Sequence, residues 1–484
     1  MYGARGWMVA SAVVPAIDAR RSAKLGVAIV LLATSAAAAV TLRPGATLSH
    51  AAMVLTGASA VAAIRLGRRR ALLATLAVVA YALPFVTLLG YVFADNYEWG
   101  PTPSARALSQ DQGLMLGVAQ IGLLGLAGLL LGLWAGLYPR PAPEPISTDF
   151  ALPPTAAAAI SMAALLLAWF SSPQSSIFTT SYSEISRTNL ASGIGLAAGF
   201  VAVMALVVVL AVDLEAERRR KANAVKLRMF AITVLLIVGP FQLLKGSRTA
   251  VGLVLALALL RLTRQTDSAP GGRRAWWHQR GTRRVLVGLV VIGATFVVVG
   301  VVRSSLHEGG LSAGDVAERS QNYVLHGTWE AVLATNVAAS IEDRDGEELL
   351  FGSTYVDYTA SLIPGPIARV IGWERPITAS RGPAWWSEGI SLGGIHVAVV
   401  PYRNFGPLGV FIGLAAVGFV IGAVDRRSHR SAFGRTLYGC VAMACVLWFW
   451  YGDMYVVRAL MALAVIWPIV RALSQRISRP TVAP

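Results

Sequence analysis

Acid is scarce in this chain, and so is any long polar stretch. Only 25 of the 484 residues are Asp or Glu, against 42 Lys and Arg, and charged residues make up 14% of the total. A soluble domain of this length needs more polar surface than that. With 55% hydrophobic residues and a mean hydropathy of +0.61, the sequence reads as a polytopic membrane protein. Cysteine is nearly absent too: Cys440 and Cys445 lie inside one apolar run, which supports neither a disulfide framework nor a cysteine-based metal site. The acidic run Asp343-Arg344-Asp345 with Glu347-Glu348 matches no EF-hand spacing and reads as a solvated loop, so neither a metal nor a cofactor is expected. The excess of base, a formal charge of +17, is divided among short clusters between apolar runs. That pattern sets membrane orientation and does not point to nucleic acid.

What the chain has in quantity is apolar runs of about 17 to 25 residues, each long enough for the hydrocarbon thickness. The first, about 25–42 and flanked by Arg20, Arg21 and Lys24, reads as an uncleaved span rather than a signal peptide. Spans over about 46–64, 71–94 and 113–138 follow, then a fifth leading out to the Ser/Thr-rich loop 171–189. Further spans cover about 190–212, 229–244, 250–260, 285–302, 406–424, 436–452 and 459–470. With both termini cytoplasmic, about 29 of the 42 Lys and Arg fall on one side, and Arg218-Arg219-Arg220-Lys221 is the clearest cytoplasmic marker. The expected fold is therefore all-α, with about twelve transmembrane helices and one long extracytoplasmic loop containing short or amphipathic helices. Residues 1–228 carry the first six helices with basic cytoplasmic loops, and 229–302 the next three with an outer Gly-Ser-Arg turn. Residues 303–405 form the loop, and 406–484 the last three helices.

The loop holds about half of the 25 acids and three of the six histidines, so chemistry is sought there. Its last part is dense in Pro, Gly, Trp and Arg and is not expected to be helical, whereas 315–341 has the apolar spacing of an amphipathic helix on the membrane or over a cavity. Three arginines stand at predicted outer starts of inward-running helices: Arg248, Arg403 and Arg458. Residues 250–260 and 459–470 reach only about 17–18 Å at 1.5 Å per residue, so the charges beside them sit close to the bilayer. Helix N-termini favour anions and guanidinium groups suit phosphate, so the three arginines, with Lys245 and Arg303 on the same face, are read as binding a diphosphate. Ordinary interfacial arginines snorkelling to headgroups are the alternative.

The Gly246-Ser247-Arg248 turn, the long late loop with Ile363-Pro364, and Tyr402-Arg403-Asn404-Phe405-Gly406-Pro407-Leu408-Gly409 leading into the next helix together resemble bacterial O-antigen polymerases, the Wzy-type oligosaccharide repeat-unit polymerases. The resemblance covers residue 229 onward in detail, and the first half only in span number and hydropathy. It implies a glycosyltransferase of the bacterial cytoplasmic membrane whose active site is extracytoplasmic. Its substrate would be a polyprenyl-diphosphate-linked oligosaccharide within the lipid bilayer, with a chain-length regulator and a flippase as further candidate partners. Arg248 and Arg403 match the family's motif positions. The arginines would stabilise charge on the departing diphosphate, and a base would take the acceptor hydroxyl proton. Glu388 and His396 are the favoured catalytic candidates, although His396 as a hydrogen-bonded structural residue and Glu388 as a loop acid fit the sequence as well. Trp373, Trp385, Tyr402 and Asn404 are candidates for holding the glycan; Trp385 and Trp386 also read as interfacial anchors. A ligase acting on a similar donor, or a non-enzymatic flippase or transporter of lipid-linked glycans, is the competing reading.

Overall fold

The computed structural model describes residues 46–68, 71–93, 103–137, 163, 256, 258–260, 262, 328–344, 349–356, 370–372, 395–428, 431–452 and 454–477. These residues are almost wholly helical, and no strand occurs among them. The helices are α1 (Ala46–Arg68), α2 (Leu72–Phe93), α3 (Pro103–Gln110), α4 (Gln112–Leu137), α5 (Thr328–Arg344), α6 (Val399–Arg427), α7 (Ala432–Tyr451) and α8 (Met454–Ile477). Four of them, α2, α4, α6 and α7, are long and apolar enough to cross a membrane. The expected first span, and the fifth to ninth apart from a few buried positions around Ala256–Leu262, lie outside the described residues.

The most extensive helix contact is between α4 and α6, and glycine makes it possible. In a lipid environment the apolar effect does not drive helices together, so close backbone approach and dispersion must do so. Gly128, Gly132 and Gly136 of α4 lie against the backbone of Phe411, Ala415 and Phe419, and Gly418 and Gly422 of α6 lie against that of Leu129 and Leu133. Sequence numbers rise together on both sides of the contact, so the two helices run parallel. Tyr81 of α2 joins this contact nearer the start of α4, donating its hydroxyl to the Gly122 carbonyl at 3.0 Å.

Helix α6 is not one rod. Gly406 has φ 67 and ψ −156, a backbone that L side chains rarely adopt, and Pro407 follows with no N–H to offer. A side-chain carbon at Gly409 would collide with the Pro401 carbonyl, and one at Gly413 would lie 3.0 Å from Pro401 Cβ. In a straight helix residues 401 and 413 are about 18 Å apart, so the chain must double back at Gly406. Residues 399–405 form a short helical arm laid against the long arm 407–427. This corrects the expectation that the segment up to Phe405 is non-helical and that the span begins at Gly406. Helix α8 is a second correction: it runs 24 residues, with Arg458 inside it rather than at its start. Helix α5 overlaps the second half of the helix expected over 315–341, and residues 315–327 lie outside the described residues. Its residues 334–340 are all buried, Asn336 completely, so it is inserted against α2 and α4 instead of lying on a surface.

The start of α2 is capped from a distance. Ala71-Leu72-Leu73 has no side chain able to bond the free N–H groups of a first turn, and buried Asp425, near the end of α6, supplies the acceptor: Ala74 N–H donates to its Oδ2 at 3.1 Å. Asp425→Ala is expected to lower stability by about 1–2 kcal/mol, and Asp425→Asn, which keeps an acceptor oxygen, by less. Thermal unfolding in detergent reads both, and equal losses would show that the cap is not the reason.

Candidate functional site

Backbone carbonyls inside an apolar bundle must find donors, and the segment before α6 provides them. Pro84 in α2 has no N–H, which leaves the Ala80 carbonyl without its helical partner. The Trp450 indole N–H of α7 fills that gap at 2.9 Å. One residue on, the Tyr81 carbonyl pairs with His396 Nε2 at 3.2 Å. The last turn of α7 has free carbonyls of its own, and Ile395 N–H donates to Trp450 O at 3.0 Å while Val397 N–H donates to Phe449 O at 2.9 Å. Residues 395–397 are thus bound into the bundle by α2 and α7, level with Tyr81, the central residue of the apolar stretch Leu72–Gly90.

His396 is completely buried, between Tyr81 and Phe85 at ring-centroid distances of 5.2 and 4.7 Å. Its Nδ1 accepts from the Ala398 N–H at 3.2 Å, so the proton sits on Nε2 and is donated to Tyr81 O. Both nitrogens are engaged and the ring is closed off, so in this geometry His396 is a strut and offers no lone pair for a substrate hydroxyl.

At the other end of the short arm a second set of carbonyls is freed. In a continuous helix Arg403 O would bond residue 407, but Pro407 has no N–H, and the turn at Gly406 takes Leu408 away from Asn404 O. The segment 349–356 substitutes for both. Leu350 N–H donates to Arg403 O at 3.2 Å and Phe351 N–H to Asn404 O at 3.1 Å. Gly352 N–H donates to the Asn404 side-chain Oδ1 at 2.8 Å, and Asn404 Nδ2 donates to Val400 O at 2.8 Å. Asn404 is therefore completely buried with both ends of its amide on backbone, which makes it a clamp in this arrangement and no glycan surface. Tyr402 is buried as well, Arg403 is half-buried, and Phe405 and Leu408 are exposed.

His396, Tyr402, Arg403 and Asn404 thus share one segment that folds back at Gly406. Arg458 belongs to α8. Lys245, Arg248, Arg303, Trp373, Trp385 and Glu388 lie outside the described residues. Among the described residues no group of His, Cys, Asp or Glu could hold a metal ion. Sequence reading missed Trp450, Gly352 and the Pro84 carbonyl gap, all of which act through contacts distant in the chain. It also passed over the four-residue spacing Gly128, Gly132 and Gly136, which was there to be read. Comparison with protein-family models, with curated proteins and with solved structures finds no match to this chain.

Proposed function

We propose that this chain is a membrane glycosyltransferase that joins polyprenyl-diphosphate-linked oligosaccharide repeat units at the outer face of the bacterial cytoplasmic membrane, with Arg403 contacting the diphosphate. The observation that carries this reading is the setting of Arg403. Arg403 is a half-buried residue on an arm folded back at Gly406, and Phe405 and Leu408, close to it in sequence, are 45% and 66% exposed. A cation on a segment that also carries exposed apolar side chains suits a ligand with an anionic head and a hydrocarbon tail. The parallel course of α4 and the long arm of α6 agrees with the charge distribution, which runs both of these spans inward. Arg248, Lys245, Arg303 and Arg458 are proposed to complete the anion site, and Glu388 to accept the hydroxyl proton. Trp373 and Trp385 are proposed to hold the glycan.

The test is reconstitution of the purified protein in vesicles with a lipid-diphosphate-linked oligosaccharide and analysis of product length. A ladder of lengthened glycans supports polymerisation, and a single transfer to a different acceptor supports a ligase. The broken helix at Gly406 favours one further reading, since transporters build their sites from discontinuous helices. Movement of the lipid across the bilayer with no new glycosidic bond would establish that reading and end the enzymatic one.

A further inference from the structure

The contact between 349–356 and the short arm of α6 carries an inference about how Arg403 is held. Three consecutive N–H groups, of Leu350, Phe351 and Gly352, meet three acceptors at the end of that arm: Arg403 O, Asn404 O and Asn404 Oδ1. To aim all three, Phe351 and Gly352 take φ 44 and 91 in succession. For glycine this is ordinary, but for phenylalanine the left-handed backbone is strained. The Phe351 ring gains little in return within the bundle, being 75% exposed. A strained residue persists only where its neighbours over-determine it; here a local turn, closed by Ser353 N–H on Leu350 O at 2.9 Å, acts together with the bonds to residues 403 and 404. The second set reaches across the chain, since Gly352 and Asn404 are 52 positions apart.

We propose that residues 349–356 form a latch on the folded-back arm of α6 and that Asn404 is its positioning residue, fixing Arg403 by joining the Gly352 N–H to the Val400 carbonyl. The latch rests on geometry alone; the consequence for catalysis rests on the reading of Arg403 as the diphosphate contact. Asn404 touches no substrate. It acts by keeping the arm, whose carbonyls Pro407 and Gly406 have orphaned, from swinging about the Gly406 turn. A misplacement of about 1 Å in a charge-stabilising group can cost on the order of a hundredfold in rate, so loosening this clamp should be felt in kcat.

Two measurements test it. The first uses Arg403→Cys in full-length protein and a water-soluble thiol reagent. Reaction at position 403 is expected to be at least about tenfold faster when Asn404→Ala is added. Cys440 and Cys445 are completely buried, so their continued lack of reaction reports that the bundle as a whole has stayed folded. An unchanged rate at position 403 overturns the latch, and so does simultaneous reaction of Cys440 and Cys445, which would make Asn404 a general stability residue. Phe351→Gly keeps every N–H donor and removes the strain, so it should leave position 403 as slow as in the parent or slower; a faster rate also overturns the latch. The second measurement is polymerisation kinetics of Asn404→Ala alone, expected to lower kcat about tenfold or more with KM within about twofold. If position 403 is freed and kcat is unchanged while Arg403→Ala is inactive, the positioning role is overturned and the proposed function survives. If the unaltered protein makes no glycan, the proposed function fails, and the thiol rates decide the latch without it.

Discussion

Gly132→Val is expected to prevent a stable, monodisperse protein from being recovered, with a loss of about 3 kcal/mol or more. A side-chain carbon at position 132 would collide with the Ala415 carbonyl oxygen and lie 2.7 Å from both Ala415 C and Phe419 N. All of these are backbone atoms, so no rotamer change clears the space and the helices must part. Parting them at Gly132 also opens the contacts of Gly128, Gly136, Gly418 and Gly422, because each touches the opposite backbone along the same parallel seam. With lipid as good a solvent for apolar surface as a neighbouring helix, no hydrophobic penalty drives α4 and α6 back together. The matched control is Gly57→Ala or Gly90→Ala, where an added carbon meets nothing within 4 Å. Those changes should be neutral or, in the helix interior, stabilising by up to about 1 kcal/mol. Size-exclusion profile and thermal midpoint in detergent distinguish the outcomes. Normal recovery of Gly132→Val would show that the seam is looser than its geometry requires.

The same seam explains which parts of the fold could be read from the chain. Spans expected over 71–94, 113–138 and 436–452 appear as α2, α4 and α7 with ends shifted by a few residues, because there the apolar run and the hydrogen-bonded run coincide; the run expected over 46–64 appears as the helix α1, whose apolar part is shorter. They part company elsewhere. Arg458 and Arg471 look like the ends of a short span, yet α8 continues through both, since a charge interrupts hydropathy without interrupting the i to i−4 bonds. Pro401, Gly406 and Pro407 look like breakers, and Gly406 does turn the chain. The residues before it are helical all the same because their orphaned carbonyls are met by Leu350, Phe351 and the Asn404 amide, partners that no local window contains. His396 shows the matching limit in the candidate site. Its place before the span was legible, but its tautomer and its closure between Tyr81 and Phe85 depend on the carbonyls of α2. A histidine among outer-loop residues suggested a base; the packed one is a strut.

Arg403→Ala is expected to lower kcat for glycan lengthening by at least about a hundredfold while leaving protein yield and thermal midpoint near those of the unaltered chain. The separation is expected because Leu350 N–H donates to the Arg403 carbonyl, a backbone group that alanine retains. Loss of activity without loss of fold then reports on the guanidinium itself. Arg403→Lys should fall between the two, since an ammonium group keeps the charge but gives up the planar fork that pairs with two phosphate oxygens at once. The division between constants carries the mechanism. If Arg403 stabilises charge that builds on the diphosphate only as the sugar leaves, kcat and kcat/KM fall together; if it merely tethers the lipid head, KM rises and kcat holds. Full activity in Arg403→Ala would remove this residue from the anion site. It would leave the folded-back arm without the chemical role proposed for its cation.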